Sequence, residues 1–123
     1  MDGRIQKVLD FIGKNLESHL PLSELASLTS LSDSRFRHLF TVETGMSPRV
    51  YLRKLRLARA RQFLDESRLN IDQIALKVGW QDRSHFERRF KQVYGVTPAQ
   101  YRNAMRSEAF IKENPLIAKA AIK

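Results

Sequence analysis

Cysteine is absent from this chain of 123 residues. That excludes a disulfide framework, a thiolate zinc site and a cysteine nucleophile, and it makes the cytoplasm the natural compartment. No run approaches the roughly 20 consecutive apolar residues that a membrane span needs. The stretch MDGRIQKVLDFIGKNL has an acidic residue at position 2 and alternates polar with apolar residues, which is not the pattern of a signal peptide. There is no G-x-S-x-G elbow and no glycine-rich phosphate loop, so catalysis of the familiar kinds has no motif to stand on. His19, His38 and His85 show no HExxH spacing and no nearby carboxylate pair; neither a metal nor a cofactor is expected. Acidic charge is also short: 13 Asp and Glu stand against 22 Lys and Arg, a formal net charge of +9. An excess that large favours a polyanionic partner, nucleic acid first and an anionic membrane second.

What is present is helical periodicity in nearly every long segment. Ile5, Val8, Leu9, Ile12 and Leu16 form one stripe, which predicts an amphipathic helix over about 4–18. Leu22, Leu25 and Ala26 mark a short second helix. Ser32 can cap a third, with Phe36, Leu39 and Phe40 inward and Gly45 at its end. Ser47-Pro48 opens a long fourth helix, with Pro48 at the first helical position. Val50, Tyr51, Leu52, Leu55, Leu57, Ala58, Phe63 and Leu64 carry it to about 66. Ile71, Ile74, Ala75 and Val78 make another short helix. Asp82 caps a sixth, with Phe86, Phe90 and Val93 inward and Gly95 as its stop. Thr97-Pro98 starts a last one through Tyr101 and Met105. No segment alternates convincingly with period two. The expectation is an all-α fold of about seven helices.

The chain also repeats itself. Ala26 matches Ala75, and Phe36, Phe40, Gly45, Pro48 and Tyr51 match Phe86, Phe90, Gly95, Pro98 and Tyr101, with one extra residue in the second turn. Each unit has a short helix with a small Ala facing its partner, a tight turn and a capped longer helix. That is a helix-turn-helix, whose second helix enters a DNA major groove.

From about Leu22 to Arg102 the chain resembles the DNA-binding domain of the AraC/XylS family of bacterial transcription regulators. Ile74-Ala75, Val78-Gly79-Trp80, Asp82, Phe86, Phe90-Lys91, Gly95, Thr97-Pro98 and Tyr101-Arg102 follow the family signature in order and spacing. Two departures stand out: Ser30 occupies a turn position where the family usually has Gly, and Trp80 one where it usually has Phe. The resemblance implies two helix-turn-helix units, over about 22–45 and 71–95, on a linking helix over about 48–66. Together they make a domain over 1–106, with a C-terminal tail at 107–123. The flanking residues are too few for a sensor domain, so the chain is expected to be either a stand-alone member or an excised domain. Phe110, Ile111, Leu116, Ile117 and Ile122 are candidates to dock on the first helix or a partner, although a frayed tail is the expectation.

The polar faces supply the candidate site. Near the start of the sixth helix, Arg83, Ser84, Glu87 and Arg88 point away from the inward stripe, at the end of a recognition helix that reads base edges. Arg suits the guanine O6/N7 pair and Ser is adaptable; Glu87 can accept from a cytosine amino group or orient Arg83 or Arg88. The resemblance points to the same positions. Ser34, Arg37 and His38 occupy the matching face of the first unit, with Thr41 one turn on. Arg53, Arg56, Lys91 and Arg102 are candidates for phosphate contact. The expected function is a sequence-specific, non-enzymatic regulator of transcription. One chain would act as a monomer on double-stranded DNA, nucleoid-associated, with RNA polymerase a candidate further partner and no membrane role. The rivals are a cationic amphipathic membrane binder, a sequence-indifferent architectural DNA protein and, more distantly, an enzyme.

Overall fold

Nearly every helix begins where the sequence offers an oxygen to the unpaired N–H groups of a first turn. The structure, a computed structural model, describes the backbone of residues 1–113 and the side chains of residues 1–108. Within them, Asp2 accepts from the Arg4 N–H to open α1 (Gly3–Lys14). Pro21 precedes α2 (Leu22–Ser27). Ser32 caps α3 (Asp33–Thr44), and Ser47 caps α4 (Pro48–Glu66). Asn70 and Gln73 form a reciprocal capping box on α5 (Ile71–Lys77). Asp82 accepts from Ser84 and His85 at α6 (Arg83–Tyr94). Thr97 and Gln100 exchange hydrogen bonds at α7 (Pro98–Glu113). Gly45 and Gly95 end α3 and α6 with φ of 81° and 80°, a conformation that costs glycine little. The fold is all-α, with seven helices and no strand among the described residues.

Two cores form, one per unit. Ile5, Val8 and Ile12 of α1 pack with Leu25, Ala26, Phe36, Phe40 and Leu52. Leu57, Ala60 and Leu64 of α4 pack with Ile74, Ala75, Phe86 and Phe90. Helix α4 thus belongs to both cores, and its inner face shifts along its length. Ala58, expected inward, is accordingly exposed, and Ala60 takes the buried place. The aromatic contacts repeat with the sequence. Phe40 meets Tyr51 edge-on at 5.5 Å, and Phe90 meets Tyr101 edge-on at 5.8 Å. Such pairs add to the area they bury.

Three further expectations are corrected. Helix α1 stops at Lys14, because Asn15 turns its side-chain amide back onto the Phe11 carbonyl at 2.8 Å. Leu16 and Leu20 are still buried, but from the returning loop. Val93 is 52% exposed, not inward; the inner stripe of α6 steps by four, and Tyr94 lies against Phe90 with ring centroids 4.6 Å apart. Helix α7, expected through Met105, runs on to Glu113, and the docking or fraying expected for the later tail lies outside the described residues.

Ser30 occupies the left-handed region with φ of 60°, where its counterpart Gly79 has φ of 90°. A left-handed residue other than glycine costs about 1–2 kcal/mol, part of which glycine returns through the freedom of its unfolded chain. Ser30→Gly should therefore raise stability by about 0.5 kcal/mol in urea titration, with an unchanged m-value.

Candidate nucleic-acid interface

The aromatic anchors of α3 and α6 leave one polar face on each helix. With Phe36 and Phe40 fully buried, Ser34, Arg37, His38 and Thr41 are exposed on α3. With Phe86 and Phe90 fully buried, Arg83, Ser84, Arg88 and Lys91 are exposed on α6, and Glu87 is half-buried. The two sets occupy matching positions of the repeat but carry different chemistry: His38 answers to Arg88, Arg37 to Glu87 and Thr41 to Lys91.

Within the second set, Glu87 is paired. Its Oε1 accepts from Arg83 Nε at 2.8 Å, and Asp72 of α5 stands 3.3 Å from the other end of the same guanidinium. The hydrogen bond to Glu87, aided by Asp72, raises the Arg83 pKa above the ordinary arginine value. An exposed pair of this kind contributes little stability, but it holds Arg83 in a defined pose. Of the two arginines open to Glu87 in the sequence, Arg83 is its partner. Arg88 has no ion pair or side-chain hydrogen bond among the described residues.

The phosphate candidates divide. Arg53 is half-buried on α4 and Lys91 is exposed on α6, neither with a hydrogen-bond partner among the described residues. Arg56 turns inward: Nε donates to the Leu16 carbonyl at 3.2 Å and a terminal nitrogen to the Ser18 carbonyl at 2.7 Å. Gly79 lies against the same guanidinium, so the turn of the second unit rests on a contact between α4 and the loop after α1. Arg102 is 7% exposed and donates to the carbonyls of Phe63, Leu64, Ser67 and Leu69. It closes the carboxyl end of α4, whose last carbonyls lack helical partners and favour a cation. Burial lowers the pKa of both Arg56 and Arg102, with Arg106 adding to the effect at Arg102.

One cleft, of about 730 Å³, brings the two units together. Arg37 of α3, Arg53 and Arg56 of α4 and Arg89 of α6 all line it, so α3 and α6 open on a common side of the amino-terminal half of α4. The other base-reading candidates lie outside its lining. Arg49, His85 and Arg89 are members of the cleft that sequence reasoning missed. His85 is exposed, meets the Trp80 ring edge-on at 5.0 Å and accepts from Arg89 at 3.4 Å. Among the described residues no helix is long and apolar enough to cross a membrane, and no cluster of metal-binding side chains occurs.

Comparison with known proteins agrees with this architecture. Residues 25–104 match the family described as helix-turn-helix domain. The arabinose operon regulatory protein of Salmonella typhimurium is 31% identical over 103 residues, covering 83% of this chain and 37% of that protein. A transcriptional regulator from Chromobacterium violaceum with an AraC-type DNA-binding domain superposes with a TM-score of 0.76 at 27% identity, covering 83% of this chain and 91% of that one. The DNA-binding domain of AdpA, a global transcriptional factor solved in complex with a target DNA, has the same fold. It gives a TM-score of 0.84 at 24% identity, over 87% of this chain and 96% of that one. The chain spans little more than a third of the length of the first curated relatives it matches. Two helix-turn-helix units, a shared linking helix and these matches have one reading: the chain belongs to the AraC-type helix-turn-helix family of transcription regulators.

Proposed function

We propose that the chain binds double-stranded DNA sequence-specifically, α3 entering one major groove and α6 the next, and that it regulates transcription without catalysis. The observation that supports this reading is the common cleft, which Arg37 of α3, Arg53 of α4 and Arg89 of α6 line together. Arginines of both helices and of α4 on one cleft suit a single face of a duplex. Ser34, Arg37 and His38 would read one half-box, and Arg83, Ser84 and Arg88 the other, with Glu87 orienting Arg83. Arg53 and Lys91 would neutralise phosphates. Arg56 and Arg102 leave that set, because their donors already meet backbone carbonyls. One chain suffices for an asymmetric site, and RNA polymerase is the partner through which a bound chain would act.

The test compares two arginines on a site selected from random DNA. Arg88→Ala should cost about 1–3 kcal/mol on that site and relax preference at one base position. Arg53→Ala should weaken specific and random DNA alike and lower the salt slope by about one unit. Uniform weakening by Arg88→Ala would reassign it to phosphate, and an unchanged slope would return Arg53 to solvent.

A further inference from the structure

Arg83 is held from two helices at once. Glu87, one turn along α6, accepts from its Nε at 2.8 Å, and a carboxylate oxygen of Asp72 on α5 lies 3.3 Å from its Nη1. The guanidinium therefore bridges both helices of the second helix-turn-helix. Its five N–H donors lie in one rigid plane. Two of its three nitrogens are engaged, and Nη2 has no partner among the described residues. All three side chains reach solvent. Exposed ion pairs add little to stability, so stability alone does not account for two carboxylates on one arginine.

The first unit has no such cluster. Ser23 answers to Asp72, Asp33 to Arg83 and Arg37 to Glu87, so the signs on the recognition helix are reversed and the shorter helix supplies no charge. The Arg37 guanidinium has no ion pair or hydrogen bond among the described residues. The two units thus offer DNA different things. Arg37 is an uncompensated cation. At the start of α6, two negative charges surround one positive charge, which opposes a phosphate contact there. The same arrangement suits a base reader. The start of a recognition helix is the end that meets base edges. A guanidinium already fixed in one pose has less freedom to lose when its remaining donors meet guanine O6 and N7.

We propose that Asp72 is a positioning residue: from α5 and through Arg83, it sets the preference of the α6 half-box for guanine at one base pair, while lowering affinity for DNA in general. The inference rests on the DNA-binding reading above and adds to it a residue outside the recognition helix. Its two effects have opposite signs. Removing the Asp72 charge loosens Arg83 and weakens discrimination. It also removes a repulsion that every phosphodiester backbone meets, whatever its sequence.

The experiment is a double-mutant cycle read as base preference. Four chains are compared: the parent, Arg83→Ala, Asp72→Asn and the double variant. Each is titrated with a site selected from random DNA, with every single base-pair change in its α6 half-box, and with random DNA. Arg83→Ala should lower preference at one guanine by about tenfold, the worth of a bidentate contact. Asp72→Asn should lower preference at that same base pair by about threefold, a share of what it costs to immobilise one flexible side chain. Its affinity for random DNA should stay level or rise. In the Arg83→Ala background, Asp72→Asn should change preference nowhere. Full preference in Asp72→Asn or in Arg83→Ala would overturn the proposal. So would the same threefold loss without Arg83, since Asp72 would then act by another route. A merely structural role for Asp72 would weaken selected and random DNA equally and leave the preference intact, which also overturns it. The DNA-binding reading fails differently: the parent chain itself would not distinguish selected from random DNA.

Discussion

Gly79→Ala is expected to lower stability by about 3–4 kcal/mol, a large part of what holds a domain of this size together. Two costs add. Gly79 has φ of 90°, which for alanine costs about 1–2 kcal/mol. The new methyl would also lie 2.6 Å from Arg56 Nε and 2.7 Å from its Cζ, and far inside contact distance of the Leu16 carbonyl oxygen. Overpacking of that kind costs about 1–3 kcal/mol. The arginine cannot swing away cheaply, because its donors are held by the Leu16 and Ser18 carbonyls. Gly45→Ala isolates the first cost. Its φ is 81° but nothing lies within 4 Å of the added methyl, so a loss of about 1–2 kcal/mol is expected there. Urea denaturation of the two variants measures the difference directly. Equal losses would mean that the junction of Gly79, Arg56 and Leu16 yields, and that the two units are less rigidly joined than the structure has them.

Arg102→Ala should cost about 3 kcal/mol and lower Tm by about 10 °C. The side chain is 7% exposed and meets four carbonyls at and beyond the carboxyl end of α4. Removing it leaves buried acceptors unpaired, at about 1–3 kcal/mol for each that water cannot reach. Arg102→Lys should recover little, because one ammonium cannot span a set that the planar guanidinium holds at once. Thermal melting and DNA binding on the same preparations separate the two roles considered for this residue. A clamp loses stability while the folded fraction keeps its salt slope. A phosphate contact would keep its Tm and lose about one unit of slope.

The role of Arg102 was difficult to read in the chain for a physical reason. Its partners are backbone carbonyls 33 to 39 residues away, and carbonyls leave no trace in a sequence. Arg56 is alike, with acceptors 38 and 40 residues distant. What was legible came from local chemistry: the helix starts at Ser32, Ser47 and Asp82, the glycine stops, and the aromatic spacing that repeats from Phe36 to Phe86. The internal repeat held further signals. Arg102 answers to Leu52, a buried position of the first unit, and Val93 answers to Glu43, a polar one. Arg89 answers to Leu39, which packs beside the core, and this marks it as inward-leaning rather than a free surface charge. The cleft itself could not be read at all, because it is assembled from residues between His19 and Arg89 that only the packing of both units on α4 brings together.

The central claim is that one chain places two different recognition helices on one face of a duplex, one helical turn apart. Helix α4 has 19 residues. At about 1.5 Å per residue that is about 28 Å, close to the roughly 34 Å between successive major-groove openings. The residues of α3 and α6 differ, so the site should be asymmetric. The most direct test inserts five base pairs, about half a turn, between the half-boxes of a site selected from random DNA. A rigid α4 cannot follow the second half-box to the far side of the duplex. Affinity should then fall to that of a single half-box, with one chain bound to the original site. Undiminished binding after the insertion, or a selected site that is palindromic and takes up two chains, would contradict the account.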